Sequence, residues 1–344
     1  MIGIRADANV QIAMGHIIRC ISIALQLEKL GSQVVFIVSE PEAEFLVKEY
    51  GFRVECLHNS YHDKEQELQP LFEIIEQRGI EMLFIDSYEV TEIYLLYLQK
   101  RLPVVYIDDM NMFQYPVNAI VNYTYGVTLD LYRKYPYTSD VKYALGSKYI
   151  PLREQFADSV IKINDEVRNI FITSGGTDPE HMIKTLLLET KKQKWAGIQK
   201  TIVVGNFYNE INWLKAYAET HPEITIYKNI SNVVDIMIKC DVAISAGGTT
   251  LAELCACGIP TIAFSMSDNQ IPGVTAYAED GLLIYAGDIR KNKELVLNNI
   301  MDNIQVLMSD KKKRIELSEK AHLKIDGKGA RRIAEFLIKF EKDK

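Results

Sequence analysis

Residues 241–264, DVAISAGGTTLAELCACGIPTIAF, contain the pattern that decides the fold. An apolar run ends in two glycines and two threonines, a helical pattern follows, and residues 259–264 form a second apolar run. Short apolar runs without alternation are typical of parallel strands covered on both faces, and a helix between two of them is a crossover. This stretch therefore predicts one strand–helix–strand unit of a parallel sheet.

The same alternation extends from this unit in both directions. We predict strands at 2–6, 33–38, 52–57, 81–86, 103–107, 118–121, 168–173, 200–204, 223–227, 241–245, 259–264 and 282–285. We predict helices at 15–31, 64–79, 89–101, 180–192, 231–239 and 249–257. Strands and helices that alternate over the whole length indicate an α/β protein built from doubly wound parallel sheets.

The alternation pauses near residues 147–167 and then restarts, which predicts two Rossmann-like domains. The stretch SDVKYALGSKYIPLREQF is typical of irregular chain with a short helix, so we place the boundary at about 155–166. The first domain then covers 1–155 and the second covers 166–325, while 326–344 forms a final helix that can pack back on the first domain. Since doubly wound sheets bind ligands beyond the carboxyl ends of their strands, we expect a ligand cleft between the domains.

Composition restricts the class of partner. The chain has 344 residues and a formal net charge of −7, which disfavours nucleic acid and anionic membranes. Its five cysteines show no paired metal-binding spacing, so we expect reduced thiols. No apolar run approaches the ~20 residues that span a bilayer, and the chain opens directly as a strand. We therefore expect a cytoplasmic protein without stable membrane insertion, and the oligomeric state stays open.

The glycine-bearing turn at 245–250 has the features of a diphosphate site. Consecutive glycines expose backbone N–H groups, the threonines add hydroxyl donors, and the helix start adds partial positive charge. The predicted contacts are Ser245, Gly247, Gly248, Thr249 and Thr250. Glu253 is placed either to accept both hydroxyls of a ribose or to complete a capping box with Thr250. The turn contains neither a Walker A lysine nor a GxGxxG pattern, and we predict no cofactor.

A second glycine-bearing turn follows the strand at 168–173. Gly175 and Gly176 precede Asp178-Pro179, which is typical of an N-cap followed by proline at the first helical position. The two glycines either contact a phosphate or form a tight strand–helix turn. Downstream, Asn269 and Gln270 offer amides that orient a sugar or a water, unless the segment serves only to cap the next helix through Asp268.

The first turn of the chain carries a histidine at a helix start. Gly15 lets a ligand approach the backbone, and the free N–H groups of the helix start favour an anion. The helix dipole disfavours a charged imidazole, so a neutral His16 is able to take a proton from water. The alternative is a capping or core histidine. Arg5 and Asp7, at the end of the preceding strand, are predicted substrate contacts.

Two acidic segments, Asp86-Ser87-Tyr88 and Asp108-Asp109, follow strands of the first domain. Paired carboxylates suggest a metal, but without further ligands they are weak evidence for one. We interpret the acids as loop caps or polar cleft residues, and we predict no metal site.

Four stretches make the chain similar to a known family. They are RADANVQIAMGHIIRC (5–20), ALGSKYIPLREQF (144–156), NIFITSGGTDPEHMIKTLL (169–187) and CDVAISAGGTTLAELCACGIPTIAFSMSDNQ (240–270). On these the chain resembles the hydrolases of pseudaminic acid biosynthesis, which remove UDP from UDP-2,4-diacetamido-2,4,6-trideoxy-β-L-altropyranose. That family is related in fold to the MurG-like GT-B glycosyltransferases. The resemblance thus implies a GT-B-like fold and a UDP-sugar substrate.

The resemblance also implies roles for individual residues. It makes His16 the base that activates the attacking water, with Tyr88 and Asn269 as partners of that water. It implies that Glu253 binds the ribose and that Gly248 and Thr249 bind the diphosphate. The uracil is expected to meet the backbone near Ile230. The first motif departs from the family, because Ile12-Ala13-Met14-Gly15-His16 stands where IGTGH is common and Ala8-Asn9 stands where serines are common, which leaves the identity of the sugar open.

The reaction that we predict is hydrolysis of the sugar–diphosphate bond. A glycosyl diphosphate already has a good leaving group, so one base is sufficient and the acid of ordinary glycosidases is not needed. We expect C–O cleavage with inversion and without a metal. One alternative is a GT-B glycosyltransferase that uses the same donor and a sugar or peptide acceptor, although we find no apolar or basic acceptor patch in the first domain. The other is a non-catalytic nucleotide-sugar binding protein.

Overall fold

The computed structural model describes residues 1–8, 14–135, 140–192, 195, 197–230 and 232–342. Two compact units divide the chain. Unit 1 comprises Met1–Glu154 together with Lys328–Lys344, and unit 2 comprises Gln155–Gly327. The chain thus enters unit 1, passes through all of unit 2, and returns to unit 1 for its last helix.

Unit 1 is built on a parallel sheet of seven strands. The strands are β1 Ile2–Ala6, β2 Val34–Val38, β3 Arg53–Cys56, β4 Met82–Asp86, β5 Val104–Ile107, β6 Ala119–Asn122 and β7 Lys142–Leu145. Their order in the sheet is β3-β2-β1-β4-β5-β6-β7, and every neighbouring pair is parallel. The strand order reverses between β1 and β4, which is the switch point at which doubly wound sheets bind ligands.

Unit 2 repeats this plan with a parallel sheet of six strands. The strands are β8 Asn169–Thr173, β9 Gln199–Val204, β10 Ile224–Lys228, β11 Val242–Ala246, β12 Thr261–Ser265 and β13 Ile284–Asp288. Their order is β10-β9-β8-β11-β12-β13, and the switch point lies between β8 and β11. Both sheets therefore confirm the predicted α/β class with two doubly wound sheets.

Helices connect the strands and cover the sheets. In chain order they are α1 Gly15–Lys29, α2 Glu42–Glu49, α3 Leu68–Arg78, α4 Glu92–Gln99, α5 Met182–Lys192, α6 Ile211–Glu219, α7 Val234–Met237, α8 Thr250–Ala256, α9 Ile271–Glu279, α10 Lys293–Ser309, α11 Lys311–Lys324 and α12 Gly329–Lys342. Each predicted helix corresponds to one of these with ends shifted by a few residues. The helix predicted from residue 231 begins only at Val234, and residue 231 itself lies outside the described residues.

One strand contradicts the prediction. The stretch from residue 139 to 156 was expected to be irregular chain with a short helix, yet Lys142–Leu145 forms β7 at the edge of the sheet, and two 3-10 turns follow it. The strand is only four residues long, and only Ala144 is buried within it. An edge strand pairs through its backbone on one side alone, so its sequence carries little of the apolar run that marks an inner strand.

The last helix completes the core of unit 1. In α12 the residues Ala330, Ile333, Ala334, Leu337 and Phe340 are buried at helical spacing, and they join the core that contains α1 and β1. At the first position of α12, a Cβ on Gly329 would lie 2.0 Å from the backbone oxygen of Ile150. The start of α12 therefore approaches the backbone after β7 so closely that only glycine fits.

Parallel strands bring their following loops to one edge of each sheet. In unit 1, Ala6 pairs in register with Asp86, so the loops after β1 and β4 leave the sheet side by side. In unit 2, Ser245 pairs with Thr173 and Ala246 with Phe264, which brings the glycine turns after β8 and β11 together. In the part of the chain that the structure describes, no helix has the length and apolar character to cross a bilayer.

The contact at Gly329 predicts a stability effect. Gly329→Ala forces a methyl group against the backbone of Ile150, so we expect unit 1 to lose roughly 1–3 kcal/mol of unfolding free energy. Gly273→Ala in α9 is the matched control, because a Cβ at Gly273 meets no atom within 4 Å. Chemical denaturation of both variants checks this, and equal stability of the two would contradict the close contact.

Candidate functional site

Unit 2 contains a pocket of about 460 Å³ at the carboxyl ends of its strands. Its walls come from the loops after β8, β9, β10, β11 and β12. Eight of the predicted site residues line it: Gly175, Gly176, Ile230, Gly248, Thr249, Thr250, Glu253 and Gln270. The fold thus brings together residues that are nearly 100 positions apart in the chain. They come from both glycine turns and from the segment predicted to contact the uracil.

The two helix starts at this pocket differ in their capping. At α5, the carboxylate of Asp178 accepts hydrogen bonds from the backbone N–H of Met182 at 2.8 Å and of Ile183 at 3.0 Å. At α8, the N-cap residue Thr249 makes no side-chain capping bond. A carboxylate already occupies the start of α5, whereas the start of α8 has no side-chain cap. In the turn before α8, the N–H groups of Gly247 and Gly248 donate to the carbonyls of Phe264 and Ala246. The capping box proposed for Thr250 is not formed, since α8 begins at that residue.

Gly205, which sequence analysis missed, also lines the pocket. A Cβ on it would lie 2.6 Å from Cα of Gly176 and 2.9 Å from the backbone oxygen of Gly175. Its own N–H donates to the Gly175 oxygen at 3.1 Å. The turn after β8 is thus held against the turn after β9 by direct backbone contact. A glycine immediately after an apolar strand was the available signal, as at Gly247.

Three predicted residues of unit 2 lie outside the lining of this pocket. Ser245 is fully buried in β11, and its hydroxyl donates to the carbonyl of Ala246 at 3.0 Å. Gly247 donates its N–H to Phe264, and a Cβ there would lie 3.2 Å from Cβ of Gln270, so this glycine allows close packing. Asn269 is exposed, and its Oδ1 accepts from the hydroxyl of Ser267 at 2.5 Å.

In unit 1, His16 lines a small cavity of about 30 Å³. The other residues around it are Asp7, Tyr61, Asp86, Ser87, Tyr88 and Glu89. The His16 side chain is 8% exposed, so most of the ring is enclosed by polar neighbours. Gly15 is exposed with no atom near its Cβ position, while Asn9, Ile12 and Ala13 lie outside the described residues.

The contacts of His16 decide its tautomer. Its Nδ1 lies 2.6 Å from Oδ1 of Asp86, and a carboxylate oxygen only accepts hydrogen bonds. Nδ1 therefore carries a proton and donates it to Asp86, so the neutral tautomer that fits this bond has Nε2 as its acceptor. The Tyr88 ring meets the imidazole edge-on, with ring centroids 4.5 Å apart. Sequence analysis treated Asp86 as a loop or cleft residue and missed this pairing.

Arg19 keeps Asp86 charged. The carboxylate is 1% exposed, and burial alone would raise its pKa, but the charge and hydrogen bonds of Arg19, with a further bond from His16, lower the pKa to about 2. Arg19 Nε lies 2.5 Å from Oδ2 of Asp86, and a second nitrogen bonds Oδ1. Asp86 is therefore a buried anion that the guanidinium of Arg19 holds in place.

Tyr88 is held by a second carboxylate. Its hydroxyl donates to Oδ2 of Asp109 at 3.0 Å, and burial together with the charge of Asp109 raises the pKa of Tyr88 to about 12. The phenol keeps its proton for this bond, so its oxygen has lone pairs with which to accept from a bound hydroxyl. The adjacent Asp108 caps its own loop, accepting from the N–H groups of Met110 and Asn111, as the loop-cap interpretation predicted.

Arg5 differs from its predicted role as a substrate contact. The residue is 0% exposed, and its guanidinium donates to Asp7 at 2.7 Å and to Glu67 at 2.7 and 2.8 Å. Lys64, also fully buried, donates to the second oxygen of Asp7 at 3.0 Å. These bonds hold Arg5 in a buried ionic cluster under the sheet edge. Asp7 borders the His16 cavity, but its carboxylate is already paired on both oxygens.

The residues of the two sites offer no metal centre. Among the described residues, no group of three or more histidine, cysteine or acidic side chains is arranged to hold a metal ion. The five cysteines, all described, form no disulfide. What the sites offer is backbone donors in unit 2 and a histidine–carboxylate pair in unit 1.

Comparison with known proteins finds similarity to glycosyltransferases. Residues 169–335 match the glycosyltransferase family 28 C-terminal domain. An uncharacterized protein of Methanocaldococcus jannaschii is 28% identical over 282 residues, which cover 78% of this chain and 56% of that protein. The spore coat polysaccharide biosynthesis protein SpsG of Bacillus subtilis is 22% identical, with 98% of this chain and 97% of that protein covered.

Two further similarities extend over nearly the whole chain. A Helicobacter pylori UDP-N-acetylglucosamine–N-acetylmuramyl-(pentapeptide) pyrophosphoryl-undecaprenol N-acetylglucosamine transferase is 21% identical, covering 94% of this chain and 96% of that protein. The crystal structure of Acinetobacter baumannii MurG superimposes with a TM-score of 0.71 at 13% identity, covering 98% of this chain and 99% of the other. The chain therefore has the GT-B-like fold that its sequence predicted, and it is similar to glycosyltransferases.

The depressed pKa of Asp86 predicts a pH-dependent stability. A carboxyl group whose pKa falls on folding stabilises the protein above its ordinary value of 3.8, and that contribution is lost as the pH falls toward about 2. Replacing Asp86 by asparagine removes the titration. We therefore expect the stability gap between the parent protein and Asp86→Asn to narrow by about 1 kcal/mol between pH 6 and pH 3. Urea unfolding at both pH values measures the gap, and a constant gap would contradict the ion pair.

Proposed function

We propose that this protein is a GT-B-type enzyme that binds a UDP-sugar in the unit 2 pocket and transfers the sugar to a hydroxyl activated by His16. The observation that carries the proposal is the meeting of three elements in one pocket: the glycine turns after β8 and β11 and the loop after β10. Backbone donors, a carboxylate and an apolar wall are the groups that a nucleoside diphosphate needs.

Each part of the proposed UDP-sugar donor corresponds to residues in the pocket. The volume of about 460 Å³ lies within the range of small-molecule sites. In the proposal, the diphosphate binds at Gly248 and Thr249 through the hydroxyl of Thr249 and the first backbone N–H groups of α8, while the N–H of Gly248 donates to Ala246 at 2.9 Å, and no cation takes part. Glu253 accepts the ribose hydroxyls, and the backbone at Ile230 meets the uracil.

The chemistry follows from the tautomer of His16. Nε2 takes the proton of the attacking hydroxyl as its oxygen forms a bond to C1 of the sugar. The bond from C1 to the UDP oxygen breaks, its electron pair stays on the diphosphate, and the configuration at C1 inverts. Asp86 stabilises the imidazolium formed in this step. Tyr88, with its proton committed to Asp109, accepts from the same hydroxyl and orients it.

The relatives favour a sugar acceptor over water. One is a transferase that uses UDP-N-acetylglucosamine, and another takes part in spore coat polysaccharide biosynthesis. This support goes to the glycosyltransferase alternative, whereas the sequence resemblance ranked hydrolysis first.

Hydrolysis is the second candidate, and one observation favours it. The cavity beside His16 measures about 30 Å³, enough for roughly one or two waters and far too small for a sugar ring. A water held there between His16 and Tyr88 would attack C1 by the same steps. The two candidates therefore share the base and the donor, and they differ only in the nucleophile.

The base role is tested with His16→Gln. We expect this variant to bind UDP with unchanged affinity and to lose roughly 10²–10⁴-fold in turnover of the donor. His221→Gln is the control, since its ring stacks on Tyr217 and lines neither of the two cavities. Calorimetry with UDP and a coupled UDP-release assay measure the two effects. Full turnover in His16→Gln would refute the proposed chemistry.

The nucleophile is identified by incubating the protein with a panel of UDP-sugars in ¹⁸O-water, with and without sugar or polysaccharide acceptors. Transfer predicts UDP release that depends on an acceptor. Hydrolysis predicts release without one and ¹⁸O on the free sugar. Label on phosphate would mean attack at phosphorus, and binding without any release would mean a non-catalytic binding protein; either result rejects the proposal.

A further inference from the structure

Arg19 connects the two carboxylates of the unit 1 site, and nothing in the reaction as proposed gives it a role. Its side chain is 14% exposed. It bonds Asp86 through two nitrogens, Asp109 at 3.0 Å and the hydroxyl of Tyr123, whose ring it also covers at 5.4 Å. One guanidinium therefore joins residues from α1, the end of β4 and the loops after β5 and β6.

The fourth group at Arg19 is the imidazole of His16. One terminal nitrogen of Arg19 lies 3.0 Å from Nδ1 of His16. Because Nδ1 already donates to Asp86, this nitrogen is not an acceptor for Arg19, and the approach places a positive charge beside the ring. A neutral imidazole tolerates that charge, whereas an imidazolium is repelled by it.

The charges around His16 explain why such a contact is needed. A histidine bonded to a buried carboxylate alone is stabilised in its protonated form, and a protonated ring is no base. Asp86 faces it from β4, and Asp109 lies beyond Tyr88. The remaining groups at the cavity are already engaged: Asp7 with Arg5 and Lys64, and Glu89 with His62 at 3.3 Å. Cys20, from α1, points its thiol at Asp86, and Tyr61 borders the cavity.

We propose that Arg19 is a positioning residue that keeps His16 neutral with its proton on Nδ1, and that ties Tyr88 to the same charge network through Asp109. The inference rests on the proposed role of His16 as the base. After His16 takes a proton, Arg19 repels the imidazolium and favours its return to the neutral state for the next turnover. Arg19 touches neither donor nor nucleophile in this account; it acts only through Asp86, Asp109 and His16.

The test reads the protonation of His16 directly, without turnover. The full chain is labelled with ¹³C-histidine, the His16 signal is assigned by its loss in His16→Gln, and its titration is followed by NMR. Arg19→Met removes the charge at similar length, and we expect the His16 midpoint to rise by about one pH unit or more. Arg19→Lys keeps the positive charge but loses the planar set of N–H donors of the guanidinium. The His16 midpoint in this variant should therefore stay closer to that of the parent protein.

Asp109→Asn should shift the titration midpoint of His16 in the opposite direction, and it provides a second test if Arg19→Met does not fold. It removes a negative charge and leaves Arg19 shared with Asp86 alone, so the His16 midpoint should fall. Opposite shifts in the two variants, or the fall in Asp109→Asn alone where Arg19→Met is unfolded, support the inference. An unchanged midpoint, or shifts in the same direction, overturns it. Full turnover of His16→Gln would instead reject the base role, so the two failures are distinguished by different measurements.

Discussion

The buried carboxylate of Asp86 is the constraint on which the unit 1 site depends. An ionised group without solvent is strongly unfavourable unless it is paired and hydrogen-bonded, and here the partners come from one turn of α1. His16 and Arg19 stand three residues apart, so both face the same side of the helix. The register of β1 against β4 sets Asp86 beside the loop that leads into α1. One backbone pairing thus brings the imidazole of His16, the carboxylate of Asp86 and the guanidinium of Arg19 together.

A second buried ionic cluster lies next to the first and remains separate from it. Arg5, Asp7, Lys64 and Glu67 carry two positive and two negative charges. They bond one another and also Ser39, Tyr94 and Asn59. Removing one member of such a group leaves an uncompensated buried charge and typically costs about 3–5 kcal/mol. We interpret this cluster as a structural element that holds the loop before α3 under the sheet edge.

Sequence patterns were sufficient for twelve of the thirteen strands that the structure describes and for the glycine turns of the unit 2 pocket. Inner strands are continuous apolar runs, and glycines after such strands mark turns, so Gly175, Gly176 and Gly248 were recognisable without coordinates. The pairing of His16 with Asp86 was not, because 70 residues separate them and only the strand register shows that they meet. The prediction that Arg5 contacts the substrate failed for a related reason. A position at a strand end does not reveal whether the guanidinium faces a ligand or a buried partner such as Glu67. Short edge strands such as β7 lack the apolar signal altogether.

The return of α12 to unit 1 has a consequence for the order in which the two units become complete. Unit 2 is continuous in sequence, from Gln155 to Gly327, and is synthesised in full before α12. The earlier-made part of unit 1 meanwhile exposes the apolar groove on α1 that Ile333 and Leu337 later fill. A chain truncated before residue 328 would therefore keep every element of unit 2 but leave part of the apolar core of unit 1 uncovered, and exposed apolar surface of this kind promotes aggregation.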